Sequence, residues 1–562
     1  MSTYLERRWA RIFALLPLLA VVGVTIRLYW NFAKATDLAL HDEAFYLSAG
    51  SRFLRQGVLP TFQYSPLYAA WYAAHLAVFS DPIAAYYAQL YSVVVLTAIL
   101  MYVYLRQIAV PTSLAFLATI LWIAQPAYIT VVWDTGWPRP YHFAFLVFLA
   151  GAIAIRRLKL DCPVPLVLAG ASFLLPAMAA RYEYFAAFLF FVGLVAVSSR
   201  SRSQLLLPTE HGTYLWPVCL LAGTATLTTG IYLKGQVPTE SRLWAISRSW
   251  YAFGQHFSEY QLVKTNAGGN LDPWADWELI VGRTFPRAHS VLGAALANPR
   301  AFLGFELHNL ITAPRVICLY LTTPPYASLK VSVLCLTLMW MSFITLTSVS
   351  VRRRALFTSA SALGPYVLSG AATAIPGILI TPKINYFLPL LFVLFVGAVK
   401  WYSVVLENEP AVYRSVVAVS AVLLSLTFAA IRSPCDVSKG AERPLLLEIS
   451  EIRAILERQR VGGARILQMA AAGYSAFLTY GLPEDVSAYD RRDTERFWDF
   501  VQRAHIDAIL VDDRLRSSRR YRDDSDFALF LASPDQFGWI AAPVGTQGDV
   551  FYLRDRRQNS LR

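Results

Sequence analysis

The sequence predicts an all-α polytopic membrane domain of about eleven transmembrane helices, followed by a C-terminal soluble α/β domain. Of the 562 residues, 56% are hydrophobic and only 15% are charged, whereas a soluble domain has about 25% charged residues. Residues 432–562 hold 20 basic and 20 acidic residues, which leaves 30 basic and 17 acidic residues in the first 431. A basic excess interleaved with long apolar runs is typical of a polytopic membrane protein. These observations exclude a soluble enzyme, a disordered chain and a nucleic-acid binder.

Eleven apolar runs are as long as a membrane span or nearly so. The first run follows Arg7, Arg8 and Arg11 and lacks a small-residue cleavage site, which predicts a retained signal anchor with a cytoplasmic N-terminus. The runs lie at roughly 12–30, 83–105, 112–132, 141–155, 164–180, 184–198, 215–233, 331–350, 357–380, 385–405 and 413–431.

Alternation along these runs assigns each loop to one side of the membrane. Every strongly basic short loop, such as Arg156–Arg157 and Arg352–Arg354, then lies in the cytoplasm, as the positive-inside rule requires. The count depends on a turn at Arg181–Glu183, because one continuous span there would place an Arg and a Glu at mid-membrane, at a cost of at least ~2.5 kcal/mol per charge. Residues 1–431 are therefore predicted to form the membrane domain. The segments predicted on the outer face are 31–82, 133–140, 234–330 and 432–562.

The outer tail, residues 432–562, is predicted to be a periplasmic or extracellular α/β domain. Arg465–Ala470, Ala508–Val511 and Val550–Leu553 have the apolar pattern of strands, and Thr494–Ala504 has the spacing of an amphipathic helix. The hydropathy of the whole chain lacks the symmetry between halves that is expected of a transporter built from inverted repeats.

Two adjacent acids, Asp42 and Glu43, open the first outer loop. The segment from Asp42 to Gly57 predicts a helix, with Gly57 as its stop signal. Asp42 and Tyr46 are four residues apart and share a face, whereas Glu43 points about 100° away, so at most one of the two acids faces a given site. Either one of them serves a site, or Asp42 caps the helix while Glu43 is solvated.

This loop resembles the first periplasmic loop of the GT-C class of glycosyltransferases, which take a sugar from a polyprenyl-phosphate carrier. The shared features are an Asp-Glu pair just after the first span, then a Tyr, a helix ending in Gly57, and the stretch Tyr64–Tyr68. Protein O-mannosyltransferases and lipid A aminoarabinose transferases belong to this class. Members close to the latter carry Glu-Lys before the proline where this chain has Tyr64–Ser65. The resemblance therefore favours bacterial members that attach sugars to lipids or envelope polysaccharides.

The resemblance implies roles for three acids. It makes Asp42 the catalytic base that takes the proton of the acceptor hydroxyl as that oxygen attacks the anomeric carbon, with Glu43 beside it as a further candidate. It makes Asp134, in the second outer loop, an acid that orients the donor or helps to hold a divalent metal. The alternative for Asp134 is an acid that accepts backbone hydrogen bonds in a turn. Because hard cations need several oxygen ligands, no metal site and no other cofactor is predicted.

Two basic residues are candidates for binding the donor phosphate. Arg181 either contacts this phosphate, as a basic residue at this turn often does in the class, or it pairs with Glu183. Lys383, before the tenth span, is either a second phosphate contact or an anchor at the membrane interface. Neighbouring polar and aromatic residues are expected to bind substrate, and these are Tyr46, Tyr64, Arg139, His142, Tyr182 and Tyr386.

The long outer loop 234–330 contains the run Asp272–Trp277, rich in acids and tryptophans. It either lines an acceptor groove, since aromatic rings stack on sugar faces, or forms an interfacial helix. The histidines of this loop have no ligand spacing.

These features predict a glycosyltransferase of the bacterial inner (plasma) membrane. Its donor would be a polyprenyl-phosphate-linked sugar and its acceptor a lipid, polysaccharide or protein, and no nucleotide-binding motif such as GxGxxG or a Walker loop is present. One alternative is an O-antigen ligase or polymerase that uses a diphosphate-linked oligosaccharide. The other is a transporter or lipid flippase, which would place ionisable residues at the membrane midplane rather than at the outer ends of the spans.

Overall fold

The structure is a computed structural model that describes most of the chain. The described residues are 2–30, 33, 37–38, 40, 42–124, 140–158, 163–200, 221, 223–225, 228–230, 235, 247–265, 271–274, 276–322, 363–407, 444–469, 473–478, 484–492, 494–545 and 548–555. Before residue 408 the described helices are α1 (Ser2–Tyr29), α2 (Asp42–Gln56), α3 (Pro66–Val78), α4 (Pro82–Gln107), α5 (Thr112–Ala124), α6 (Pro140–Leu158), α7 (Pro163–Ala180), α8 (Tyr184–Arg200), α9 (Arg248–Thr265), α10 (Trp277–Thr284), α11 (Val291–Ala297), α12 (Pro299–Thr322), α13 (Leu363–Ile380) and α14 (Leu388–Glu407).

The described part of the first 407 residues is helical, as predicted, and contains candidate membrane spans. Five of the described helices are long and apolar enough to cross a membrane, namely α4, α6, α7, α13 and the segment Asn385–Val404 that includes most of α14. Three shorter apolar helices lie in α1, α5 and α8. The predicted spans 331–350 and 413–431, and most of 215–233, lie outside the described residues. Eleven spans therefore stay a prediction.

The turn at Arg181–Glu183 is confirmed. Helix α7 ends at Ala180 and α8 begins at Tyr184, so the Arg and the Glu lie at a helix end and not in the middle of a span. The two helices pack closely because residue 170 is glycine: a Cβ atom there would lie 2.1 Å from the ring of Phe191. A larger side chain at this position would separate the hairpin.

Three of the cations predicted to be cytoplasmic lie together at the end of the helices opposite to the Arg181–Glu183 turn. Arg106 donates to the carbonyl of Val110, and Arg156 donates to the carbonyl of Gln107 at 3.2 Å. Lys400 of α14 donates to the carbonyl of Ala109 at 3.3 Å. These three predicted cytoplasmic cations thus share one end of the bundle, while the side of the membrane that this end faces is a prediction from charge.

The first outer loop folds as predicted into a helix from Asp42 to Gln56, and Gly57 follows it at a φ of 69°. A second short helix, α3, packs against it. The contact is close at Gly50, where a Cβ atom would lie 2.8 Å from the carbonyl oxygen of Ala69. These two helices set the position of the adjacent acids.

The long outer loop forms a helical unit with an aromatic core. Phe253 and Phe257 of α9 pack on Phe285 and on Phe305 of α12, with ring centroids 4.7–5.9 Å apart. The described part of the run Asp272–Trp277 is a turn, in which Asp276 accepts the backbone N–H of Asp272 at 3.0 Å. The interfacial helix considered for this run is therefore not present there, and α10 begins only at Trp277.

The tail is an α/β unit, as predicted. Its elements are α15 (Pro444–Gln459), β1 (Arg465–Gln468), α16 (Tyr474–Phe477), β2 (Glu484–Ser487), α17 (Phe497–Arg503), β3 (Ala508–Val511), α18 (Asp513–Ser517), α19 (Arg519–Arg522), α20 (Ser525–Ala532), β4 (Trp539–Val544) and β5 (Asp549–Arg554). The sheet order is β2-β1-β3-β5-β4. Strands β2, β1 and β3 run parallel to one another, and β5 runs antiparallel to both of its neighbours, β3 and β4. Helix α15 covers one face, and α17 and α20 cover the other, as a largely buried sheet requires.

The tail docks on the end of the membrane domain that carries α2. Asp37 accepts hydrogen bonds from the backbone N–H groups of Leu445 and Leu446 at 2.9 and 3.0 Å, and so caps α15. Arg453 pairs with Asp81 at 3.0 Å, and the ring of Phe477 lies 5.7 Å from that of Tyr86. The tail and the first outer loop therefore share one end of the bundle.

Candidate active site

Asp42 forms an ion pair with Arg248, the first residue of α9. The Nη2 atom of Arg248 lies 2.8 Å from Oδ2 of Asp42, and the side chains are 24% and 40% exposed. Arg248 is held in place by the first outer loop, because its backbone N–H donates to Gln63 at 3.1 Å and its guanidinium lies 5.3 Å from the centre of the Tyr64 ring. A carboxylate and a guanidinium thus meet at a surface that a substrate can reach.

Tyr46 lies beneath this pair, on the face it shares with Asp42. It is fully buried and accepts a long hydrogen bond of 3.4 Å from Ser65. Burial raises the pKa of Tyr46, while the charges of Arg248 and Arg181 act to lower it. Burial also raises the pKa of Tyr64 to about 12. Both phenols are therefore protonated at neutral pH, and a substrate reaches Tyr46 only if its neighbours move.

Glu43 faces the interior and not the surface that holds Asp42. Its side chain is 1% exposed. Its Oε1 atom accepts hydrogen bonds from Tyr68 at 2.6 Å, from Tyr72, and from Gln89 at 3.4 Å. The divergence of about 100° between successive helical residues explains the different surroundings of the two acids. Glu43 is accordingly neither solvated nor directed toward the outer surface in this structure.

Arg181 is buried at the tip of the α7–α8 turn. It binds both carboxylate oxygens of Glu183, one of them at 2.9 Å. It also donates to the hydroxyl of Tyr141 at 2.6 Å, and its guanidinium lies 3.7 Å from the centre of that ring. The pair with Glu183 considered from the sequence is thus present, and Tyr141 and Tyr386, with ring centroids 5.0 Å apart, extend the cluster. Arg181 remains a candidate contact of the donor phosphate, and in this structure its charge is paired with that of Glu183.

Lys383 lies beside α9 and the turn that precedes α10. Its Nζ atom is 5.9 Å from the centre of the Trp274 ring, which in turn lies 5.4 Å from the ring of His256. Burial lowers the pKa of Lys383 to about 8, although the charges of Glu259 and Asp42 oppose this shift. Burial likewise lowers the pKa of His256, which contacts Glu259 at 3.4 Å. Lys383 is therefore a cation that lies within the electrostatic range of Asp42.

The other predicted substrate-binding residues are in varied surroundings. Tyr182 is well exposed, whereas His142 and Tyr386 are buried. Asp134 and Arg139 lie outside the described residues, so their roles stay predictions. Within the described part of the chain, no three His, Cys, Asp or Glu side chains are grouped as ligands of one metal ion.

Arg248, Tyr141 and Glu259 are site residues that the sequence did not predict. A weak signal existed for Arg248, because a cation at the first residue of a helix is disfavoured by the helix dipole unless it has a partner elsewhere. The partner, Asp42, is 206 residues away in the sequence, and no local pattern identifies it.

Comparisons with known proteins show a structural likeness but no match in sequence. Neither the models of protein families nor the curated proteins contain a match. Among solved structures, the chain is similar to an oligosaccharyltransferase of Archaeoglobus fulgidus that was crystallised in complex with zinc and sulfate. The TM-score is 0.38 and the identity 11%, over 96% of this chain and 73% of that chain. This TM-score is too low to establish a shared fold.

Proposed function

We propose that this protein is a membrane glycosyltransferase that moves a monosaccharide from a polyprenyl-phosphate carrier to a lipid, polysaccharide or protein acceptor. The observation that carries the proposal is the composition of the Asp42 site. A partly exposed carboxylate lies against Arg248, within the electrostatic range of Lys383, and near Tyr46, whose pKa Arg181 also affects. One base and several cations at the end of a membrane bundle suit the transfer of a sugar from a lipid phosphate.

Asp42 would act on the acceptor. Its carboxylate takes the proton of the acceptor hydroxyl while the acceptor oxygen forms a bond to the anomeric carbon. The bond between that carbon and the phosphate oxygen breaks, and its electron pair leaves with the polyprenyl phosphate. Arg248 contacts Oδ2 of Asp42, so the other carboxylate oxygen, Oδ1, can accept the proton while the ion pair persists.

The cations would act on the leaving group. The phosphate gains negative charge as the sugar departs, and a fixed cation in a partly dehydrated site stabilises that charge more than water does. Arg181 and Arg248 can each bind two phosphate oxygens, whereas Lys383 acts as a point charge. A polyprenyl phosphate stays in the bilayer, and these residues lie at or beyond the ends of membrane helices, which is the depth of a lipid phosphate.

A transporter or flippase is less well supported by the described spans. These spans contain no Asp or Glu; of their basic residues, Arg27, Arg106, Arg156 and Arg157 fall within the last three positions of a helix, and Lys400 is fifth from the end of the span Asn385–Val404. Passage of a polar substrate normally requires ionisable groups near the midplane. An O-antigen ligase or polymerase would share the site chemistry proposed here but take a diphosphate-linked donor.

The test is a transfer assay on the full-length protein in lipid nanodiscs. Polyprenyl phosphates that carry different radiolabelled monosaccharides are supplied, and both the released polyprenyl phosphate and the labelled acceptor are measured. Asp42→Asn should lower transfer by ~10²–10⁴-fold, while the matched control Asp535→Asn, an exposed acid of the tail, should not. Full transfer by Asp42→Asn would refute the role of the base. Movement of the intact donor between leaflets, without cleavage of the sugar–phosphate bond, would favour a flippase.

A further inference from the structure

Two consecutive helices of the long outer loop, α11 and α12, present an apolar face that no described residue covers. We call it the leucine face. Its six side chains are each more than half exposed, namely Leu292, Leu296, Leu303, Leu307, Leu310 and Ile311. On α12 the spacing of these residues confines them to an arc of about 100°, which is the width of the buried stripe of an amphipathic helix. Single exposed leucines are ordinary, but a continuous apolar face of this kind marks an interaction surface.

The leucine face is separate from the side of α12 that forms the core of the loop. Phe305 is buried and contacts the rings of Phe253 and Phe257, with centroids 5.5 and 5.6 Å apart. Asn309 and Ala313 are also buried and follow Phe305 at helical spacing on the same side. Helix α12 therefore has one apolar side in contact with protein and a second apolar side that faces outward.

The position of α12 indicates what covers its outward side. The Nδ2 atom of Asn309 donates to the carbonyl of Ile378 at 2.9 Å, in the last turn of the candidate span α13. On that span Ile375 and Leu379 are exposed, as side chains that face lipid would be. The leucine face therefore belongs to a helix that contacts the end of a candidate span, and that span exposes apolar side chains of its own.

The residues beside the leucine face have the chemistry of a lipid headgroup region. His308 and Arg315 lie along one edge of it on α12, and Arg300 lies in the first turn; all three are exposed. A cationic side chain at the edge of an apolar stripe reaches the phosphates of lipids while its neighbours enter the acyl region.

We propose that the leucine face is buried in lipid, so that α11 and α12 lie along the membrane surface. This goes beyond the proposed transfer reaction, since it concerns a lipid contact and not the sugar. It has a structural consequence for the site. The aromatic core joins α12 to α9, and α9 begins with Arg248, so the lipid contact fixes the height of Arg248 relative to Asp42.

Photocrosslinking in nanodiscs of phosphatidylethanolamine and phosphatidylglycerol tests the proposal. The photoreactive residue p-benzoylphenylalanine replaces Leu303, Leu307 or, as a matched control, Leu529, an exposed leucine of the tail. These positions are exposed, so the substitutions leave the core intact. After irradiation, intact-mass measurement should find phospholipid adducts at Leu303 and Leu307 several-fold above those at Leu529.

Two outcomes would overturn the proposal. Lipid adducts at Leu303 and Leu307 that do not exceed those at Leu529 would mean that the face is in water. Crosslinks between two copies of the chain would mean that the face is a protein interface. Because the readout is a covalent adduct and not turnover, it is independent of whether the transfer proposal succeeds.

Discussion

The guanidinium of Arg248 donates to the carboxylate of Asp42 across 2.8 Å, and so joins the long outer loop to the first one. This contact orients the carboxylate and adds a cation to the site. Arg248→Ala should lower transfer by roughly 10²–10³-fold, because removal of one preorganised electrostatic contact to a developing charge has an effect of this order. Arg248→Lys should retain part of the activity, since the charge persists although a lysine cannot bind two oxygens of the donor phosphate at once.

The control for these variants is the substitution Arg283→Ala, which removes an exposed arginine of α10. Initial rates and donor affinity are measured for all three variants in the nanodisc assay. Unchanged transfer in Arg248→Ala would show that the ion pair only joins the loops.

Glu43 should be important for stability and not for chemistry. Glu43→Ala removes the acceptor of three buried donors, from Tyr68, Tyr72 and Gln89. This substitution should lower the free energy of unfolding by about 1–3 kcal/mol. Glu43→Gln keeps an acceptor oxygen and should be milder. Thermal unfolding in detergent measures the loss, and transfer is normalised to the folded fraction. A Glu43→Gln variant with unchanged unfolding and no transfer would make Glu43 a chemical participant.

Arg181 should bind the donor phosphate once its contact with Glu183 rearranges. Arg181→Lys should keep weak transfer, whereas Arg181→Ala should lose transfer and donor affinity together, because lysine retains the charge but not the two-point contact. Donor binding and turnover are measured beside Glu183→Ala. The phosphate site lies elsewhere if Arg181→Ala binds donor normally, or if Glu183→Ala reproduces its defect through misfolding.

Lys383 should make donor binding depend on pH. Its pKa is lowered to about 8 by burial, so the side chain is charged below that pH and becomes neutral as the pH rises through it. The charges of Glu259 and Asp42 favour its charged form, and His256 also interacts with it electrostatically. Donor affinity should therefore fall above about pH 8, while Lys383→Arg, which stays charged throughout, should lose this decline. The measurement is the donor dissociation constant as a function of pH for the unsubstituted protein and for Lys383→Arg. Identical profiles for the two proteins would exclude Lys383 from the phosphate site.

Features with a local cause were predictable from the sequence. The helix from Asp42 to Gln56 follows from a start signal and a glycine stop, and the Arg181–Glu183 turn follows from the cost of charges at mid-membrane. The strand Ala508–Val511 is a short run of four apolar residues, and it is buried throughout. Each of these features is fixed by residues that are neighbours in the chain.

Features that depend on distant partners were not predictable. Glu43 is buried only because hydroxyls from α3 and an amide from α4 meet it, and its own neighbours favour a solvated acid. Strand β2, Glu484–Ser487, has no apolar run of its own and forms by pairing with β1 at the edge of the sheet. Strand β4 carries a proline, which edge strands tolerate.

The docking of the tail determines how the chain can be divided. Without residues after 443, Asp37 would lose the helix end that it caps, Asp81 would lose Arg453, and Tyr86 would lose the ring of Phe477. Asp81 also accepts the N–H of Ala84 in the first turn of α4, so the disturbance would reach a membrane helix. A chimera between this protein and a relative would therefore have to take residues 37–86 and 444–478 from the same parent, and these segments should be inherited together.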